Sequence, residues 1–171
     1  MFKRYQSLPR WSRWTIEILV FVAIFLAIRA YQAPDIEAGS APDFQGITLD
    51  GQTVSLAEYR GEPLLIVVWA EWCRICRIEL PMIQPLAKDH QVLTIAIQSG
   101  TDEEVRQFLE EQDLHQLPVL NDPQSQLANA LGVRGVPVMF ILDREGTIRF
   151  TEVGLTSGWG LKARLWWAGR Y

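Results

Sequence analysis

Cys73 and Cys76 are the only cysteines in the chain and stand three apart, in Trp72-Cys73-Arg74-Ile75-Cys76. They follow an apolar run, Leu64 to Trp69, and open a stretch of helical pattern. A thiol at a helix N-terminus meets unpaired N–H groups and the positive end of the macrodipole, and both favour the thiolate. Arg74 and Arg77 add positive charge nearby. The placement predicts a nucleophilic Cys73 of lowered pKa and a resolving Cys76 one turn further in, the chemistry of disulfide exchange. Glu79 lies three residues after Cys76, on the same side of the helix. It is either a solvated carboxylate or a proton acceptor for the less exposed thiol, and spacing does not separate the two.

Other chemistry for two cysteines fits less well. A structural disulfide would close a very small loop and remove little chain entropy. Zinc needs four ligands, and His90 and His115 have no ligand spacing to the cysteines. A c-type haem needs histidine after the second cysteine, where Arg77 stands. Copper(I) held by the two thiolates stays open as a rival. Redox exchange itself calls for no cofactor and no metal. Met82 and Met139 read as core fillers, and Trp69 and Trp72 as packing around the site.

The elements that must position the pair follow an α/β pattern. Ile47 to Val54 places Asp50-Gly51 between two alternating segments, a hairpin signal. Leu64–Trp69 and Val92–Ile97 are continuous apolar runs of the kind found in strands buried on both faces. Between them a helix is expected over 73–88, kinked at Pro81, with Ile75, Met82, Ile83 and Leu86 facing inward. Thr101-Asp102-Glu103-Glu104 is a capping box opening a helix with Val105, Phe108 and Leu109 inside. Leu117–Leu120 reads as a brief extension, and Leu127, Ala128 and Leu131 as a helical face stopped by Gly132. Strands over 138–142 and 147–153 flank the turn Asp143-Arg144-Glu145-Gly146. A last helix over 161–167 turns Leu161, Leu165 and Ala168 inward, so Trp159, Trp166 and Trp167 are expected to pack it on the sheet in preference to touching a membrane surface. The pattern implies one mostly parallel central sheet.

The chain has 171 residues and a net charge of −4, which excludes a typical nucleic-acid binder. Lys3, Arg4, Arg10, Arg13 and Arg29 face a single acid, Glu17, in the first 33 residues, so a basic head precedes an acidic body. Ile18 to Ile28 carries no polar residue, and Trp11, Trp14 and Tyr31 fall where an aromatic belt would lie. The division expected is a cytoplasmic N-terminus at 1–13, an uncleaved transmembrane anchor at 14–31, a linker at 32–42 and a globular domain at 43–171. A cleaved signal peptide is disfavoured, because the small residues Ala38-Gly39-Ser40 come ten residues after Ile28. The positive-inside rule then exports the body.

Val68-Trp69-Ala70-Glu71-Trp72-Cys73-Arg74-Ile75-Cys76-Arg77-Ile78-Glu79-Leu80-Pro81 resembles the active-site segment of thioredoxin-fold proteins. The resemblance is to the membrane-tethered, exported thiol-disulfide oxidoreductases of the TlpA, ResA and DsbE type. Arg-Ile between the cysteines and the ending Gly-Trp-Gly…Leu-Trp-Trp are similar to the ScsD proteins of suppressor-of-copper-sensitivity systems. It implies a thioredoxin-like fold, a central mixed sheet flanked by helices, with an added N-terminal hairpin. It implies catalytic roles for Cys73, Cys76 and Glu79 and a redox-active Cys73–Cys76 disulfide. It also implies a substrate-binding surface of Trp72, Val136 and a cis Pro137, a residue that would otherwise start a strand. Partners implied are protein thiols and disulfides, a membrane thiol electron donor and the bacterial inner membrane, with the catalytic domain in the periplasm and electron flow in the reducing direction. Thioredoxin's buried acid six residues before the first cysteine is Val67 here, so proton handling falls to Glu79 or water. Ala41-Pro42-Asp43-Phe44 also resembles peroxiredoxins, but their Pro-x-x-x-Thr-x-x-Cys motif fails, with Trp69 and Cys73 in the Pro and Thr places.

Overall fold

The structure, a computed structural model, describes residues 10–32, 39 and 41–170. The chain divides into two units, Met1–Ala33 and Pro34–Tyr171.

The first unit holds one helix, α1 (Arg10–Gln32), with Trp14, Leu19, Phe21 and Phe25 exposed. The helix expected at 14–31 is therefore present. Among the described residues, however, no helix is long and apolar enough to cross a membrane. The uninterrupted apolar run extends from Ile18 to Ile28 and is bounded in sequence by Glu17 and Arg29. The expected segments 1–13 and 32–42 lie largely outside the described residues.

The second unit begins with the expected hairpin, β1 (Gln45–Ile47) and β2 (Thr53–Ser55), antiparallel with Gly46 opposite Val54. Gly51 takes φ 83°, which the turn requires and a side chain would resist. The sheet contains β3 (Leu64–Trp69), β4 (Gln91–Ile97), β5 (Val119–Asp122), β6 (Val138–Leu142) and β7 (Ile148–Val153), in the order β5-β4-β3-β6-β7. β3 pairs parallel with β4, and β4 with β5; β6 runs antiparallel to both β3 and β7. The sheet is thus mixed, as the family resemblance implies, and not mostly parallel as strand alternation suggests. The four-residue turn at 143–146 makes β6 and β7 a hairpin, and β6 separately runs antiparallel to β3, so two of the four pairings are antiparallel.

Every residue of β3 and β6 is buried, so both faces of the centre are covered. Helices α2 (Arg74–Ile83), α3 (Asp102–Glu111), α4 (Gln126–Ala130) and α5 (Gly158–Ala168) connect and cover the strands. The Thr101 capping box is formed: Thr101 N donates to Glu104 at 2.7 Å while Glu104 N donates to Thr101 Oγ1 at 3.3 Å. The hairpin docks on the β5 edge through an antiparallel bridge between Thr48 and Leu120, and Leu49 N donates to Val119 O at 2.9 Å. A Cβ at Gly46 would sit 2.8 Å from Leu120 Cδ2, so the tip of that side chain would have to shift to admit one.

Two expected faces are corrected. α2 buries Cys76, Glu79, Leu80 and Ile83, while Ile75 and Met82 are exposed, so Met82 is no core filler. The stripe 76, 79, 80, 83 has the right helical period but includes a carboxylate, and a search for apolar residues alone shifts it by one position. The helix runs past Pro81 to Ile83 and tightens into a 3-10 turn over Gln84–Lys88. In α5, Leu161, Leu165 and Ala168 face inward as expected, but Trp159 and Trp166 are exposed and do not pack on the sheet. Trp167 reaches inward at its edge, 5.2 Å from the Phe150 ring.

Candidate active site

The site lies where β3 ends and α2 begins. Cys73 is the N-cap of α2, with extended backbone, and its sulfur accepts the Cys76 N–H at 3.2 Å. The helix therefore directs an otherwise unpaired amide at the sulfur that would carry negative charge after reduction. In the structure Cys73 and Cys76 form a disulfide, with their Cα atoms 5.2 Å apart. Both cysteines are buried, and Cys73, 7% exposed, is the more accessible of the two, against 1% for Cys76.

The expected substrate-binding residues assemble beside it. The Val136–Pro137 peptide bond is cis. The Val136 carbonyl oxygen stands 3.8 Å from Cys73 Sγ, although the two are 63 residues apart in sequence. Trp72 is 57% exposed and does not pack inward, unlike Trp69, which is fully buried against Phe108 with ring centroids 5.3 Å apart. Trp72 is held by its edge instead, its Nε1 donating to the Gln98 carbonyl at 3.2 Å.

The cationic neighbours are less involved than their positions suggest. Arg74 is exposed. Arg77 turns back, its Nε donating to the Glu71 carbonyl at 2.7 Å and its guanidinium lying over the Phe108 ring. The sulfur's local stabilisation then comes first from the helix terminus.

Glu79 is 1% exposed, which removes the solvated reading. Its Oε1 accepts the Thr156 N–H at 2.7 Å. Its Oε2 is buried and has no hydrogen-bond partner among the described residues. Burial raises the Glu79 pKa from 4.5 to about 7, against the opposing pull of the Thr156 hydrogen bond. A carboxyl poised near neutral pH, one helical turn from Cys76, can accept a proton and release it again.

Three supports have little or no signal in the sequence. Ser99 Oγ accepts the Glu71 N–H at 3.0 Å, and Gln98 adopts φ 46°. Such a backbone is uncommon for a residue other than glycine, and this one ends β4 and aims a carbonyl at Trp72. The turn-prone Gln98-Ser99-Gly100 after a strand is the only trace of this in the sequence. Thr156, 77 residues from Glu79, leaves none.

Comparison with known proteins agrees with this geometry. The AhpC/TSA family model matches residues 38–151. A thioredoxin-like protein of Haemophilus influenzae is 36% identical over 122 residues, covering 70% of this chain and 72% of that protein. The thiol-disulfide oxidoreductase ResA of Geobacillus thermodenitrificans is 30% identical over 130 residues, 74% of either chain. Among solved structures, the exposed lipoprotein thioredoxin of Streptococcus pneumoniae superposes with a TM-score of 0.66 at 30% identity, covering 72% of this chain and 98% of that one.

Proposed function

The chain belongs to the AhpC/TSA family, and from that premise we propose that it is an exported thiol-disulfide oxidoreductase acting on protein cysteines. The observation that carries the reading is the unequal placement of the two sulfurs: Cys73 at the helix N-cap beside the Val136 carbonyl, Cys76 buried beneath.

In the reducing direction the Cys73 thiolate attacks one sulfur of a substrate disulfide. A Cys73–substrate mixed disulfide forms, and the other substrate sulfur leaves as a thiolate that takes a proton from solvent. Cys76 then gives its proton to Glu79 and attacks the Cys73 sulfur. The Cys73–Cys76 bond closes, the mixed disulfide breaks, and the second substrate thiol departs. Two electrons have passed from the protein dithiol to the substrate. A membrane thiol donor would restore the dithiol by the same steps in reverse. Trp72 and the cis Pro137 form the wall against which the substrate chain lies, with Val136 offering its backbone.

The ScsD-like subtype, the periplasmic location and the anchor belong to the same proposal. The apolar side chains exposed on α1 and the basic residues before it support a single-pass inner-membrane anchor. Carbonate extraction and protease protection of the full chain test this: release of the chain by carbonate, or a body sheltered on the cytoplasmic side, rules it out.

The activity is tested with Cys76→Ser in the host. Mixed disulfides should accumulate on Cys73, reversible by dithiothreitol, while the unsubstituted protein reduces insulin. Tight copper(I) binding with no insulin reduction would favour the metal-binding rival. A peroxidase is disfavoured by Trp69 and Cys73 at the motif places for proline and threonine.

A further inference from the structure

The two oxygens of Glu79 are not equivalent. Oε1 is engaged by a backbone amide from the loop between β7 and α5, and Oε2 is buried and free among the described residues. The amide donor is not incidental to that loop. Gly154 turns the chain out of β7 at φ 83°, its N–H donating to the Pro137 carbonyl at 3.0 Å. Thr156 Oγ1 contacts the Gly154 carbonyl at 3.5 Å, and Ser157 stands at the N-terminal position of α5, its carbonyl accepting the Leu161 N–H at 3.0 Å. The loop is thus tied at one end to the cis-proline segment and at the other to a helix start. A backbone N–H so held has little freedom to follow the carboxylate, so the carboxylate must follow it.

We propose that the Thr156 amide is a positioning group that clamps Glu79 Oε1 and thereby leaves Oε2 as the working oxygen that takes the Cys76 proton. This rests on the reading of Glu79 as proton acceptor and assigns the loop its part in it. When Cys76 attacks the mixed disulfide, its proton passes to Oε2, the Cys73–Cys76 bond forms, and the substrate thiolate leaves. The clamp donates to the ionised carboxylate and so favours the form that accepts the proton. A main-chain donor supplies this without adding a second titrating group. It also couples the proton site to the Pro137 segment, since Gly154 and Thr156 share one turn.

The test uses the reduced full chain mixed rapidly with a stoichiometric amount of 4,4′-dithiodipyridine. The first thiopyridone released reports attack by Cys73, and the second reports resolution by Cys76. Thr156→Ser keeps both the amide and the hydroxyl and should reproduce the unsubstituted pH profile. Thr156→Pro removes the N–H and should move the midpoint of the second release upward by about one pH unit, with the first release unchanged. An unmoved second midpoint in Thr156→Pro overturns the clamp. Should that variant fail to fold, the Thr156 amide proton resonance of the unsubstituted protein decides. It should move with the same midpoint as the Glu79 carboxyl carbon, and a flat response across that titration overturns the proposal. A second release that is indifferent to Glu79→Gln would instead remove the parent reading, which keeps the two failures distinct.

Discussion

Helices α2 and α5 each bury a stripe of four residues. In α5 the stripe is Gly160, Leu161, Leu165 and Ala168, and in α2 it is Cys76, Glu79, Leu80 and Ile83. The first is wholly apolar and contributes by removing hydrocarbon from water. The second gives two of its four places to a sulfur and a carboxyl group. A buried carboxyl with one oxygen unpartnered is a cost to stability, not a gain. The outer faces differ as well. α2 exposes Ile75 and Ile78 near the cysteines, and α5 exposes Trp159, 78% accessible, with Trp166 under the Arg170 guanidinium. One helix holds the sheet, and the other holds the chemistry at some expense to the fold.

Substitutions should separate the two roles. The largest effect is expected from Cys73→Ser, which should bring insulin reduction to background while leaving the thermal midpoint of the protein close to that of its reduced, unsubstituted form. Loss of folding in this variant would show that the N-cap sulfur is structural. Leu165→Ala should do the opposite, costing about 2–5 kcal/mol in urea unfolding through the cavity it leaves, with the rate per folded molecule retained.

Glu79→Gln comes next, and its effect depends on pH. The raised pKa means that the folded protein binds more protons than the unfolded chain between pH 4.5 and about 7. Stability of the unsubstituted protein should therefore fall as pH rises through that window and level off above it. The substituted side chain is an amide with no proton to lose, so the variant should gain on the unsubstituted protein above pH 7, by at most about 3 kcal/mol. Equal stabilities of the two at pH 5 and pH 8 would show that Glu79 ionises freely in the fold. The same substitution should slow resolution by Cys76 and flatten its pH profile.

The smallest effect is expected from Trp166→Ala on the outer face of α5. Unfolding should change by no more than about 0.5 kcal/mol, because the ring is already in solvent and its cation–π contact with Arg170 is exposed. A loss comparable to that of Leu165→Ala would mean that the tryptophan face is covered in solution.

Much of this arrangement is legible in the chain. The hairpin, β3, β4, β6 and the Thr101 capping box stand where apolar runs and turn residues place them, because each depends on neighbours a few positions away. The strand–helix junction alone puts Cys73 at an N-cap. The inner face of α2 departs from its apolar pattern for the opposite reason. Its buried positions include Glu79, and only a segment from the far end of the chain makes burial of that carboxylate tolerable.

The sequence by itself determined the order of strands and helices, the position of the cysteine pair and the family pattern around it, since local propensity and spacing are properties of adjacent residues. Tertiary structure alone decided that Glu79 points inward, that Thr156 meets it, that the Val136 carbonyl stands over Cys73 and that Gln98 holds Trp72. Each of these joins groups 26 to 77 residues apart. A hydrogen bond or a contact between such distant segments depends on how the whole sheet registers, and no local period encodes it.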